Sequence, residues 1–240
     1  MQPIYGSDLA WIHANAFGDF ARRATPEIVR RLRSSTIPVR HVLEVGCGAG
    51  ALTAGLIRAG FEVTAVDSSP DLIAIARTKV PRAHFVTSSI YDFGFPACDA
   101  MVALGEPLSY HSRTDGADAL VHDFFARAWA VLRPHGTMIF DIIETGEPSL
   151  TGRTWAGGDD WAALVETTED LSARELVRTI DTFRQVDRFY RRSREVHNIR
   201  LFDRVELIAR LEALGFAVET ALEYGDEKLR PRRVAFFCTV

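Results

Sequence analysis

The sequence predicts an α/β protein framed by a doubly wound, mostly parallel sheet. Three observations predict it. Residues 42–50, Val-Leu-Glu-Val-Gly-Cys-Gly-Ala-Gly, are an apolar run ending in a glycine-rich turn, and a helical segment follows at once; this is the opening strand-turn-helix unit of a nucleotide-binding sheet. From residue 38 to 145, short apolar runs alternate with amphipathic helical stretches, as parallel strands joined by crossover helices do. After about Gly146 the helical period gives way to alternation, which marks an inserted antiparallel β-meander.

At 240 residues, 47% of them apolar, the chain fits one domain with an insertion, since single cores stop growing near about 250–300 residues. A formal charge of −4 gives no whole-chain attraction to nucleic acid or anionic lipid, so neither is expected as a partner. Cys47, Cys98 and Cys238 are widely spaced and lack metal-ligand spacing; reduced thiols in a cytoplasmic protein, with no bound metal, are expected. The first residues lack a basic and then apolar leader, and no 18-residue apolar run occurs, so neither secretion nor a membrane span is expected. A homodimer is compatible with this composition.

Taken in order, Leu9, Ile12, Ala16, Phe17 and Phe20, then Ile28, Val29 and Leu32, are helically spaced. Thr25 as N-cap and Pro26 at the first helical position predict a second helix starting there. In the glycine turn, Gly46 and Gly48 allow a tight bend and bring N–H groups up to a ligand. Gly50 comes one residue earlier than the third glycine of the dinucleotide fingerprint, which points away from a pyrophosphate. The next strand, Phe61–Val66, ends in Asp67, 21 residues past Gly46, where an acid accepts the hydroxyls of an adenosine ribose. The same turn and acid leave a nicotinamide-dependent oxidoreductase open as an alternative.

Ser69-Pro70 starts another helix, and a third strand, Ala83–Thr87, leads into Ser88-Ser89-Ile90. The fourth strand, Asp99–Leu104, ends in Gly105-Glu106-Pro107-Leu108-Ser109-Tyr110-His111. Carboxyl ends of parallel strands border the ligand crevice, so Glu106, Tyr110 and His111 are the catalytic candidates, Glu106 first, as acceptor to an amine or hydroxyl. A helix over Gly116–Leu132 should turn its Phe and Trp stripe into the core, and Gly136–Ile142 is the fifth strand.

In the insertion, Trp161–Thr168, Glu175–Phe183 and Phe189–Phe202 read as strands and Trp155–Asp160 as a mobile loop. The last of these strands is rich in arginine. Alternation puts Arg192, Arg194 and Arg200 on one face with Tyr190 and Asn198, and His197 with Glu195 on the other. Arginines here suit a substrate carboxylate or phosphate, or a solvated face. Asp203 and Glu206 open a helix ending at Gly215, and Phe216–Tyr224 and Arg233–Val240 read as the closing strands.

Glu44-Val-Gly-Cys-Gly-Ala-Gly50 with Thr64-Ala-Val-Asp67-Ser-Ser resembles motif I and the acidic position after it in class I S-adenosylmethionine-dependent methyltransferases. The likeness covers residues 38–145 and 203–240. It implies a seven-stranded Rossmann-like sheet with an antiparallel C-terminal hairpin, and a cofactor-binding domain over those two stretches. Residues 1–37 would be a helical lid or cover bringing Tyr5, His13 and Phe17 near the cofactor, and 146–202 a substrate-side subdomain. The implied cofactor is S-adenosylmethionine, with S-adenosylhomocysteine as product. Glu44, Gly46, Cys47, Gly48, Asp67, Ser68, Ser89, Ile90, Leu104, Gly105 and Tyr5 would bind it, Ser89 standing where the family often has an acid. Glu106, His13, Arg200 and His197 are expected on the acceptor. The Asn/Asp-Pro-Pro-Tyr/Phe motif of base-modifying relatives is absent after the fourth strand, so the implied reaction is methyl transfer to N or O of a small molecule, driven mainly by positioning. A non-catalytic cofactor-binding module is the alternative.

Overall fold

The computed structural model describes residues 4–110 and 117–240. Two helices come first, α1 (Ser7–Ala16) and α2 (Asp19–Arg33), and then the alternation begins: β1 (His41–Val45), α3 (Ala51–Arg58), β2 (Glu62–Asp67), α4 (Pro70–Lys79) and β3 (His84–Thr87). It continues with β4 (Cys98–Ala103), α5 (Ala117–Val131) and β5 (Leu132–Ile143). The insertion holds β6 (Gly152–Gly157), β7 (Trp161–Asp170), β8 (Glu175–Val186) and β9 (Phe189–Arg200). After it come α6 (Arg204–Ala213), β10 (Ala217–Ala221), a small hairpin of β11 (Glu223–Tyr224) and β12 (Glu227–Lys228), and β13 (Arg233–Thr239).

The main sheet has the order β10-β13-β5-β4-β1-β2-β3. β13 is the reversed strand, antiparallel to both β5 and β10, and the pairs from β5 across to β3 are parallel. Every residue of β4 is buried, because helices cover both faces, and a strand shielded on two sides reads as a continuous apolar run. Phe124, Phe125 and Ala128 of α5 and Leu207 and Leu211 of α6 fill one face. Ile28 and Leu32 of α2, Leu52 and Leu56 of α3 and Ile73 of α4 fill the other. Strand order reverses between β1 and β4, so their carboxyl ends open a crevice.

Four local expectations change. α2 runs unbroken through Pro26, and the break falls at Gly18. The Thr25 hydroxyl donates to the Ala21 carbonyl at 2.6 Å, and Ala24, Ile28 and Leu32 are almost fully buried. That burial outweighs the roughly 3 kcal/mol an interior proline costs a helix. Residues 155–157 belong to edge strand β6, paired from Gly152 opposite Thr167 to Gly157 opposite Ala162, rather than to a loop; β6 is exposed almost throughout, so it carries no alternating signal. The expected turn at Pro134-His135-Gly136 survives as a bulge inside β5, whose partners jump from Cys98–Leu132 to Ala100–Thr137. In α5, Leu120 and Trp129 are exposed rather than core.

Candidate functional site

At the crevice lies a cavity of about 720 Å³, walled by the ends of β1, β2 and β4 and roofed by α1 and the start of α2. Its floor is the glycine turn, where Gly46, Gly48 and Gly50 all have positive φ. The N–H groups of Gly46 and Cys47 both donate to the Val66 carbonyl, at 2.7 and 3.1 Å, which ties the bend to β2. At Gly46 a Cβ would lie 2.2 Å from Cβ of Pro107; this glycine is required by the loop after β4 packed against it, not by open ligand space. Gly48 faces the cavity, with Cε1 of His13 beyond it.

Asp67 ends β2 beside this turn. Its carboxylate accepts the Gly48 N–H at 2.8 Å and the Ser69 N–H at 2.9 Å. Burial pushes its pKa up, against those backbone donors. Glu44, at the end of β1, accepts the Thr53 hydroxyl at 2.6 Å. Burial, only partly offset by Thr53, lifts its pKa to about 8. Cys47, Ser68, Ser89, Ile90, Leu104 and Gly105 line the same space.

The opposite wall is aromatic and comes from two stretches of chain. Tyr5, His13 and Phe17 from the N-terminal segment line the cavity with Tyr110 from the loop after β4. The hydroxyls of Tyr5 and Tyr110 are 3.1 Å apart, and the Tyr5 ring has His13 and His197 each at a centroid distance of 5.1 Å. Burial lowers the pKa of His13 to about 4, with Lys79 adding to the effect.

Other expected residues stand elsewhere. His197 is buried behind Tyr5 and Tyr110, outside the cavity lining, with Nε2 at 2.8 Å from Glu195. Glu106 is buried and turned away from the cavity. Arg178 donates to it at 2.9 Å and Arg233 pairs with its other oxygen. Burial would raise its pKa, but the two guanidinium groups win and hold it below the usual carboxylate range. Arg200 borders a separate, smaller cavity with Arg174, Asp203 and Glu206. His111 lies outside the described residues.

Several residues that matter here carry no local sequence signal. Asp8, buried on α1, takes two hydrogen bonds from Arg191 and has Arg184 at 3.5 Å. Glu195 accepts the backbone N–H groups of Tyr5 and Gly6, at 2.7 and 2.9 Å. The Arg184 guanidinium also lies 4.2 Å over the Trp11 ring. Arginines and an acid on the inner face of the insertion thus seat the N-terminal helix over the cavity, while Arg192 and Arg194 pair with Asp181 on the outer face. The pairings of Asp8 and Glu195 with the far end of the chain each span well over 150 residues, and a lone buried acid on an otherwise apolar helix face is the nearest thing to a clue.

Among the described residues no helix is long and apolar enough to cross a membrane. Residues 42–136 match the family model described as a methyltransferase domain. A protein of Geobacillus sp. (strain WCH70) with a provisional methyltransferase name is 27% identical over 199 residues, covering 78% of each chain. A solved S-adenosylmethionine-dependent methyltransferase from Clostridium acetobutylicum superposes with a TM-score of 0.79 at 18% identity, over 95% of this chain and 94% of that one. CalS10, an amino pentose methyltransferase from Micromonospora echinaspora solved with S-adenosylmethionine, gives a TM-score of 0.74 at 17% identity, over 100% and 98%. At these identities the solved structures speak for the fold.

Proposed function

We propose that this chain, a class I S-adenosylmethionine-dependent methyltransferase, transfers the methyl group to a nitrogen or oxygen of a small-molecule acceptor. The observation that carries the acceptor reading is a cavity in which an acid-and-glycine floor meets the Tyr5–Tyr110 hydroxyl pair beneath the N-terminal helices. A concave space of that size suits a small molecule rather than a macromolecular surface. The amino pentose methyltransferase of like fold supports the same class of acceptor.

The donor set fits the cofactor. In this reading Asp67 would hold the ribose hydroxyls, Ser68, Ser89 and Ile90 would border the adenine, and Glu44 with the glycine turn would receive the amino-acid end; all of them, with Leu104, Gly105 and Tyr110, line the cavity. When bound, S-adenosylmethionine supplies a methyl group already activated by its sulfonium. The chain's part is then to hold the acceptor in line and keep water out, and such positioning is worth on the order of 7–11 kcal/mol of barrier. Glu106, fixed between two arginines and away from the cavity, is a poor base and serves better to shape the loop that carries Tyr110. The Tyr5 and Tyr110 hydroxyls are the polar groups available to orient an amine or hydroxyl.

Calorimetry with S-adenosylhomocysteine, followed by mass spectrometry of small amines and alcohols incubated with S-adenosylmethionine, tests this reading. Product binding and acceptors heavier by one methylene are expected. Binding of NADH without S-adenosylhomocysteine would overturn it.

A further inference from the structure

The imidazole of His13 has a combination of properties that asks for a ligand. It lines the cavity, and its Nδ1 is buried with no hydrogen-bond partner. Among the described residues, no hydrogen bond reaches the ring; its neighbours are the rings of Tyr5, edge-on, and Phe17, tilted, and the bare backbone of Gly48. Buried polar groups are almost always paired, because leaving one unpaired is costly. A ring held this way on an otherwise apolar stretch of lid is a vacancy in the hydrogen-bond inventory of the protein alone.

The surroundings say which part of a ligand belongs there. Cε1 of His13 approaches to 3.6 Å of where a Cβ on Gly48 would stand, so the ring lies over the glycine turn. Lys79 lines the cavity, donates to the Ala14 carbonyl at 2.9 Å and acts electrostatically on the ring. Arg22 and Arg58 line the cavity too. A neutral N–H donor with a lysine beside it suits a carboxylate.

We propose that His13 binds the carboxylate at the amino-acid end of the cofactor, rather than the methyl acceptor, and so makes closure of the lid depend on that end being present. This rests on the cofactor reading above. It reassigns His13 from the acceptor, where the sequence placed it, and gives α1 a means of telling an intact cofactor from its adenosyl fragment.

The test compares S-adenosylhomocysteine with 5′-methylthioadenosine, which has the adenosyl thioether without the amino-acid group, by calorimetry on the wild-type chain, His13→Phe and His13→Gln. Phe keeps a ring to support the lid, and Gln restores a donor. The expected result is a loss of tenfold or more in S-adenosylhomocysteine affinity in His13→Phe, partial recovery in His13→Gln, and 5′-methylthioadenosine affinity unchanged in all three. Equal losses for both ligands would overturn the inference in favour of a purely structural ring, and so would unchanged affinity for both. A wild-type chain that binds neither ligand would refute the cofactor reading itself, and this inference with it.

Discussion

Replacing Glu44 by Gln should make the empty protein's stability much less sensitive to pH. Glu44 is 2% exposed, and burial moves its pKa from 4.5 to about 8. The folded state therefore holds a proton that the unfolded chain releases above 4.5, so stability must fall as pH rises through the window from 4.5 to 8 and level off beyond it. The slope for one proton is about 1.4 kcal/mol per pH unit, so between pH 5 and pH 7 the wild type should lose roughly 3 kcal/mol that Glu44→Gln keeps. Gln still offers an oxygen to the Thr53 hydroxyl, bound at 2.6 Å in the native protein. For a chain of this size that corresponds to a relative shift in Tm of about 6–12 °C in favour of the variant. Paired thermal melts of the two proteins across pH 5–9, without ligand, measure it. A difference in Tm that stays constant over that range would show that Glu44 ionises normally and that its burial is solvated in a way the structure does not contain. With S-adenosylhomocysteine present, the ligand's ammonium should restore the carboxylate, so binding at pH 7 should release a proton from the wild type and none from the variant; calorimetry in buffers of different ionisation enthalpy reads this.

Three further outcomes follow from the same geometry. Asp67→Ala should weaken S-adenosylhomocysteine binding by about 1.5–3 kcal/mol and also loosen the turn, since Gly48 and Ser69 lose their acceptor; unchanged affinity in a titration would mean another group holds the ribose. Gly46→Val should fail through folding rather than by filling ligand space, because its Cβ would meet Pro107, and a well-folded variant by circular dichroism would refute this. Tyr110→Phe removes one member of the hydroxyl pair, and it should leave cofactor affinity within about twofold while slowing methyl transfer about two- to tenfold, as measured by product formation under saturating cofactor.

What the sequence made legible was local. The strand-turn-helix at 42–58 and the acid at 67 are set by residues close in the chain, and they appear in the structure with the pairing those residues predict: β1 lies beside β2, and Asp67 caps the turn. The alternation in the insertion likewise puts His197 and Glu195 on one face and Arg192 and Arg194 on the other. What it hid was non-local or edge-exposed. Nothing near Glu106 announces that Arg178 and Arg233 will neutralise it from two distant strands. Pro26 signals a helix start by every local rule, yet tertiary burial of Ile28 and Leu32 carries the helix through it. The arginine-rich strand showed its charge but not its partner, because Asp8 sits 183 residues earlier.

That last pairing has a kinetic consequence. The roof over the cavity is clamped to the insertion by Asp8 and Glu195 and to α4 by the Ser69 hydroxyl, which donates to the Tyr5 carbonyl at 2.7 Å. If a guest leaves by way of this roof, several polar contacts, two of them on a buried acid, should have to let go first. The residence time of spent product should then depend on a charge pair that touches neither reactant.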